Sequence, residues 1–377
     1  MSRAVLLGVP DTRRTTYFMQ AAAQAGLPLL FLDWNDWQDR AGDLAEGGVW
    51  MKIDPPFWDS CALGELDDLA GAYKRRLGRL AKAGENRAIR FLNHPSAIAE
   101  LLDKVKCKET LRRAGLPVTE PVAGTFRGGS TAEMAGRFCL NASDGSGSGS
   151  FSGVSPVDYA IVRNAEQLLQ IMRDRGISQV FIKPVNGSGA AGVSAFRLQR
   201  GSGRMALYTC AVRRQDGDLV NTKRLRRFSE PAEVLSLLDS LLLTECIIER
   251  WYAKAGYQGY SYDLRAVVQG GRVDVLLARL SKGPVTNLHL NNRPLDSGAL
   301  SLPAAVLDEI ADICQRAMAL YPGLFSAGID ILLEKGSLKP RIIEMNGQGD
   351  LIYQDIFHDN IIYRRQAEFL KRMGEQA

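Results

Sequence analysis

The sequence predicts a mixed α/β and α+β chain, a small Rossmann-like sheet followed by two further α+β units, and three observations carry that expectation. The chain has 377 residues, more than one hydrophobic core usually holds, so two or three packed subdomains are expected. Its N-terminal stretch alternates strand, helix and strand, the rhythm of a βαβ unit. From Cys246 onward the strand-like runs lengthen and turn back on themselves, as antiparallel hairpins do.

The elements follow in order. AVLLGVP (Ala4 to Pro10) reads as a buried strand, TYFMQAAAQAG (Thr16 to Gly26) as a helix closed by glycine, and LPLLFLDW (Leu27 to Trp34) as a second strand. The turn GVPDTRR lacks the G-x-G-x-x-G spacing that a dinucleotide pyrophosphate requires, which removes support for hydride chemistry. A charged helical stretch runs from Glu65 to Glu85, and a boundary is placed near Ala99. This divides the chain into an N-terminal Rossmann-like domain (1–98), a central unit (99–246) and a C-terminal unit (247–377). The Gly/Ser-rich run NASDGSGSGSFSG (141–153) has too little apolar content to pack and lacks the G-K-S/T ending of a P-loop, so it reads as a surface insertion. QVFIKP then reads as a strand, MALYTCAVRR as the start of a hairpin, and PAEVLSLLDSLL as an amphipathic helix opened by proline. LRAVVQGGRVDVLLARLS places Gly270-Gly271 between two β-rich runs, and a helix at Asp308 to Tyr321 with the strands AGIDILLE and PRIIEMN completes the third unit.

Composition narrows the functional classes. Hydrophobic residues make up 46% and charged residues 24%, as in an ordinary globular protein. No stretch reaches the roughly 20 apolar residues of a membrane span. The six cysteines, Cys61, Cys107, Cys139, Cys210, Cys246 and Cys314, show no C-x-x-C spacing, which argues against zinc and disulfide frameworks and fits a reducing cytoplasm. The net charge of +5 comes without the aromatic-interleaved basic blocks of nucleic-acid binders. The basic run TKRLRRF (Thr222 to Phe228) is read as a solvated hairpin face, with an acidic peptide or polyanion as its alternative partner.

Three segments carry candidate chemistry. In GIDILLEKGSLKPRIIEMNGQGD, Glu344 and Asn346 lie two apart on one strand, so both turn to one sheet face, and a neighbouring strand would bring Asp330 to them. Such hard oxygen ligands suit Mg²⁺ beside nucleotide phosphates; solvated acids are the alternative. In FIKPVNGSGAAGVSAFR, Lys183 ends a strand ahead of Gly187, Gly189 and Gly192. Backbone amides there can close on an anion that the lysine also reaches, or the segment is an ordinary glycine-rich turn. In LLDKVKCKETLRRAGLPV, Lys104 opens a helix whose cations Lys106, Lys108, Arg112 and Arg113 are explained equally by a solvated face.

Read in order, DK with the AGLPV helix end, IKPVNGSGAAGV, IIERWY, DLRAVV, and GIDIL with IIEMN resemble the ATP-grasp superfamily, and its RimK-like carboxylate-amine ligase branch in particular. The likeness spans Leu92 to Leu351. It implies an ATP-grasp fold, a pre-ATP-grasp sheet plus two α+β lobes clasping ATP, with Mg²⁺ (or Mn²⁺) as the metal. Matched to the family pattern, Lys104 and Lys183 hold the α- and β-phosphates. Gly187, Ser188, Gly189 and Gly192 form the flap. Glu249 accepts the adenine amino group, the backbone of Arg250 and Tyr252 meets the purine edge, and Asp263 serves the ribose hydroxyls. Arg265 and Arg279 meet the γ-phosphate or acylphosphate, Asn287 lies beside the phosphates, and Asp330, Glu344 and Asn346 bind metal.

The chemistry so implied is electrostatic. A substrate carboxylate attacks the γ-phosphorus, an acylphosphate forms, and an amine, or less often a thiol or hydroxyl, displaces phosphate. The expected partners are small-molecule or peptide acids and amines, with no nucleic acid and no membrane, and a homodimer is the expected assembly. With only His94, His289 and His358 available, no Ser-His-Asp constellation is offered; His289 is placed near the site, His94 in a structural role, and His358 is left undecided. Two rival readings remain open at this level: an ATP-grasp kinase acting on a hydroxyl, and a nucleotide-binding regulatory protein without turnover.

Overall fold

The computed structural model describes residues 3–37, 48–56, 62–87, 89–126, 160–187, 189–348, 357 and 359–376. The Gly/Ser-rich run 141–153, Ser188 and His358 lie outside the described residues.

The first sheet is parallel. Its strands β1 (Arg3–Gly8), β2 (Leu29–Asp33), β3 (Val49–Ile53) and β4 (Ile89–Phe91) lie in the order β2-β1-β3-β4. Parallel strands covered on both faces read as continuous apolar runs, and β1 shows why. Ala4 and Leu6 pack with Phe18 of helix α1 (Arg13–Gln24), while Val5 and Leu7 join the core that holds Tyr73, Leu77 and Leu80 of α2 (Leu66–Arg87). Two short helices, α3 (Pro95–Leu101) and α4 (Lys104–Arg113), lead out of this unit.

The second sheet contains β5 (Pro121–Thr125), β6 (Ala160–Ile161), β7 (Gln179–Pro184), β8 (Ser194–Leu198), β9 (Met205–Arg213), β10 (Leu219–Phe228) and β11 (Cys246–Arg250), ordered β10-β9-β8-β7-β11-β5-β6. Helices α5 (Ala165–Asp174) and α6 (Pro231–Leu241) bury their apolar stripes on one side, where Leu168, Met172, Leu237 and Leu238 share a core with Val180, Ile182 and Ile248. Alternation sends the intervening residues Phe181, Lys183 and Glu249 to the opposite face.

The third sheet contains β12 (Gly256–Tyr257), β13 (Tyr260–Gln269), β14 (Arg272–Ser281), β15 (Arg293–Asp296), β16 (Ser326–Leu333) and β17 (Pro340–Asn346), ordered β15-β14-β13-β16-β17 with β12 on β13. Gly270 and Gly271 close the β13–β14 hairpin with φ of +54° and +78°, the sign that a two-residue type I′ turn demands at both positions. Helix α7 (Ala304–Ala319) packs Ile310, Ile313, Cys314 and Ala317 into the core shared by Leu264, Ala266 and Val268. The alternate residues of β13, Asp263 and Arg265, consequently lie on the other face, toward the second sheet.

Helix α8 (Ile361–Glu375) bridges two units: its Tyr363, Ala367 and Leu370 join Ala4, Leu6 and Phe18 of the first, while its Ile362 packs with Val267 and Val275 of the third sheet. Val5 and Leu7 of the first sheet also share one core with Leu264 and Ile329 of the third, whereas the second sheet keeps a core of its own. Among the described residues, no helix is long and apolar enough to cross a membrane.

Candidate active site

A cavity of about 650 Å³ opens between the charged face of the third sheet and the Phe181–Lys183–Glu249 face of the second. Strand register assembles its floor. Asp263 lies opposite Arg279, Arg265 opposite Asp330, and Asp330 opposite Glu344, so four adjacent strands each present a charged side chain on one face. Gly328 makes room for this row: a Cβ there would stand 2.5 Å from Nη1 of Arg265.

The floor is an alternating ion network. Arg279 donates from Nε and Nη2 to the two oxygens of Asp263 at 2.7 and 2.9 Å, and its Nη2 lies 3.1 Å from Oδ2 of Asp330. Arg265 pairs with Asp330 through Nε. Thr286 Oγ1 donates to Asp263, and Lys254 Nζ lies 3.6 Å from the same carboxylate while donating to Thr286 at 2.7 Å. Asp263 and Arg279 are only 2% and 3% exposed. Both carboxylate oxygens of Asp263, the residue expected to serve the ribose hydroxyls, are here held by Arg279, with Thr286 and Lys254 beside them. Burial would raise the Asp263 pKa, but Arg279 and Lys254 bring it down to about 2.

The second sheet contributes a different cluster. Glu249 accepts from Lys183 Nζ at 2.6 Å and from Thr119 Oγ1 at 2.7 Å, and its other oxygen lies 3.0 Å from Lys108 Nζ. Burial again pushes its pKa up, and the two lysines overcome that to hold it at about 2. In this arrangement the Glu249 carboxylate is bound by protein donors where an adenine amino group was expected. Arg250 donates its backbone N–H to Glu120 O at 2.8 Å. Arg250 and Tyr252 still line the cavity, with the Arg341 guanidinium 4.4 Å from the Tyr252 ring centre.

Lys104 follows the N-cap Asp103 of α4 and donates to Gly187 O at 2.5 Å, tying the helix start to the flap. Gly189 and Gly192 have φ of +63° and +68°, and a Cβ on Gly192 would stand 2.7 Å from Pro184 Cγ, so the flap turn requires glycine there. Asn287 accepts from His289 N at 2.8 Å, capping a 3₁₀ turn on the cavity wall that also carries His289. His94 stays outside, capping α3 through Ser96 N.

Glu344 and Asn346 line the cavity beside Asp330. Among the described residues Glu344 forms no ion pair, and its hydrogen-bond partner is Asn346 Nδ2 at 3.4 Å, which leaves the Asn346 carbonyl oxygen without a donor. Burial raises the Glu344 pKa, but Lys104, Lys183 and Arg265 more than offset it and keep the group acidic. Two uncommitted hard oxygen donors next to Asp330 fit a divalent cation.

The residues not foreseen from sequence are Lys108, Thr119, Lys254 and Thr286. Lys108 carried one readable signal, its position four residues after Lys104, which puts both lysines on one helix face. Because Glu249 and Asp263 are depressed from 4.5 and 3.8, the unfolded chain takes up their protons first as pH falls. The stability they contribute is complete above those ordinary values and lost on descending toward about pH 2. Acid unfolding followed by circular dichroism is expected to be less steep in that window for Glu249→Gln than for the wild type.

No family model matches the sequence, and no curated protein matches it. The fold is similar to solved structures across nearly its whole length. The ATP-grasp ligase PsnB complexed with minimal precursor shares 14% identity at a TM-score of 0.57, covering 98% of this chain and 99% of that one. The macrocyclase MdnC from Microcystis aeruginosa MRC, bound with precursor peptide MdnA, shares 13% at 0.57 with the same coverage. D-cycloserine synthetase DcsG shares 13% at 0.53, covering 97% and 99%. The chain has the ATP-grasp fold.

Proposed function

We propose that this ATP-grasp chain is an ATP- and Mg²⁺-dependent ligase of the RimK-like carboxylate-amine type. It would activate a substrate carboxylate as an acylphosphate and pass the acyl group to an amine. The observation that carries the reading is the convergence on one cavity of Lys104, Lys183, Arg265 and Arg279 with the hard oxygens of Asp330, Glu344 and Asn346. A carrier of several negative charges plus a cation matches that donor set better than a neutral ligand does.

Lys104 and Lys183 hold the triphosphate from the flap side, and the flap excludes water from the transfer. Arg265 and Arg279, locked by Asp330 and Asp263, keep their guanidinium groups in place for charge developing at the transferred phosphoryl group. Glu344, Asn346 and Asp330 would hold Mg²⁺, which supplies Lewis-acid polarisation of the phosphate oxygens and neutralises their charge. PsnB has been solved with Mg and ADP, and PsnB and MdnC with precursor peptides, which favours a peptide among the acids and amines to try first. A cytoplasmic location fits the proposal.

The test is thermal unfolding with and without Mg-ATP, followed by phosphate release with a panel of acids and amines. A ligand that binds only the native state adds about 2.7 kcal/mol at a hundredfold excess over Kd, a shift that is readily seen. Stabilisation by Mg-ATP together with acid- and amine-dependent phosphate release is the expected result. ADP formation without free phosphate would instead identify a kinase, and no stabilisation by any nucleotide would overturn the site.

A further inference from the structure

We propose that Lys108 is a positioning residue that lets Lys183 leave Glu249 for a nucleotide phosphate; this rests on the nucleotide-site reading above. Lys108, Lys183 and Glu249 are 3%, 7% and 2% exposed, so one carboxylate is buried between two ammonium groups. The two lysines are held differently. Lys108 Nζ lies 3.0 Å from Glu249 Oε1, donates to Thr119 Oγ1 at 2.7 Å and to the backbone oxygen of Ile343 at 2.5 Å. An ammonium group has three protons to donate, so Lys108 is saturated and fixed. Lys183 has a single hydrogen-bond partner among the described residues, Glu249 Oε2 at 2.6 Å, and it lines the cavity.

This asymmetry makes one lysine permanent and the other transferable. Were Lys183 the sole counter-charge, moving it to a phosphate would strand a carboxylate in a low-dielectric interior, and that penalty would oppose nucleotide binding. With Lys108 in place, Glu249 remains paired and keeps Thr119 as a donor when Lys183 moves. Position in the chain permits this. Lys104 and Lys108 are separated by one helical turn of α4, so the same helix reaches the flap carbonyl of Gly187 and the Glu249 carboxylate. The neighbouring Glu109 does not compete, since its oxygens are bound by Arg112 and Arg113.

The experiment measures Mg-ATP affinity by calorimetry, without acid or amine substrates, for wild type, Lys108→Met, Glu249→Gln and the double variant. Lys108→Met is expected to weaken binding by roughly tenfold or more, because Lys183 is then retained by Glu249. Glu249→Gln in the Lys108→Met background is expected to recover most of that loss, since a neutral amide does not retain Lys183, whereas a packing defect at position 108 would not be recovered. Lys108→Met binding as tightly as wild type, or the double variant binding as weakly as Lys108→Met, overturns the proposal. If Lys108→Met does not fold, Lys108→Gln/Glu249→Gln is compared with Glu249→Gln alone. Equal affinity supports an action through Glu249, and a tenfold loss overturns it. Absence of Mg-ATP binding by the wild type overturns the nucleotide site itself, an outcome distinct from equal binding by wild type and Lys108→Met.

Discussion

Arg279→Met is expected to destabilise the protein by about 3–5 kcal/mol, the range seen when one partner of a buried charge network is removed. Arg279 bridges Asp263 and Asp330, which are themselves 2% and 4% exposed. Without it Asp263 keeps Thr286 and the more distant Lys254, while Asp330 keeps Arg265. Urea unfolding measures the loss, and Asp263→Asn in the same background should recover part of it by removing a stranded charge. Arg279→Lys is expected to fall between the two, because a single ammonium group cannot reproduce a two-pronged contact to one carboxylate while touching a second. Stability of Arg279→Met equal to wild type would mean that the network does not hold the floor of the site together.

Glu344→Gln combined with Asn346→Ala should produce the opposite division of effects. Neither side chain is tied into the ion network of the floor, so unfolding of the nucleotide-free protein should change much less than for Arg279→Met. Stabilisation by Mg-ATP should vanish, and turnover should drop by roughly a thousandfold, as loss of several kcal/mol of metal-borne charge stabilisation implies. Stabilisation of the variant by Mg-ATP to the wild-type degree would place the metal elsewhere. Titrating Mg²⁺ at fixed ATP distinguishes a weakened metal site from a lost nucleotide site.

Local pattern made several parts of this protein readable before folding. AVLLG is apolar throughout because both faces of β1 are covered, and Gly270-Gly271 marks a hairpin because a type I′ turn needs positive φ twice. Glu344 and Asn346 share a face because strand side chains repeat every two residues. Lys108 shows where such reading stops. In KVKCKETLRR it is one of several cations on a polar helix, and beyond its spacing of four from Lys104 nothing local sets it apart from Lys106, which is exposed. Its burial depends on Glu249, Thr119 and Ile343, which come from other parts of the chain.

Asp263 and Glu249 show the same boundary from the other side: the sequence marks each as a site residue, and Arg279 and Lys183 too, but not that Arg279 pairs with Asp263 or Lys183 with Glu249. The sequence by itself determined the opening βαβ, the Gly270-Gly271 hairpin and the shared face of Glu344 and Asn346, because these follow from the backbone of a few adjacent residues. Tertiary structure alone decided which charges meet. Pairing of Arg279 with both Asp263 and Asp330, capture of Lys183 by Glu249, and return of α8 to the first sheet depend on strand register and long-range packing. A charge acquires its partner, and so its pKa and its role, only when distant segments exclude water around it.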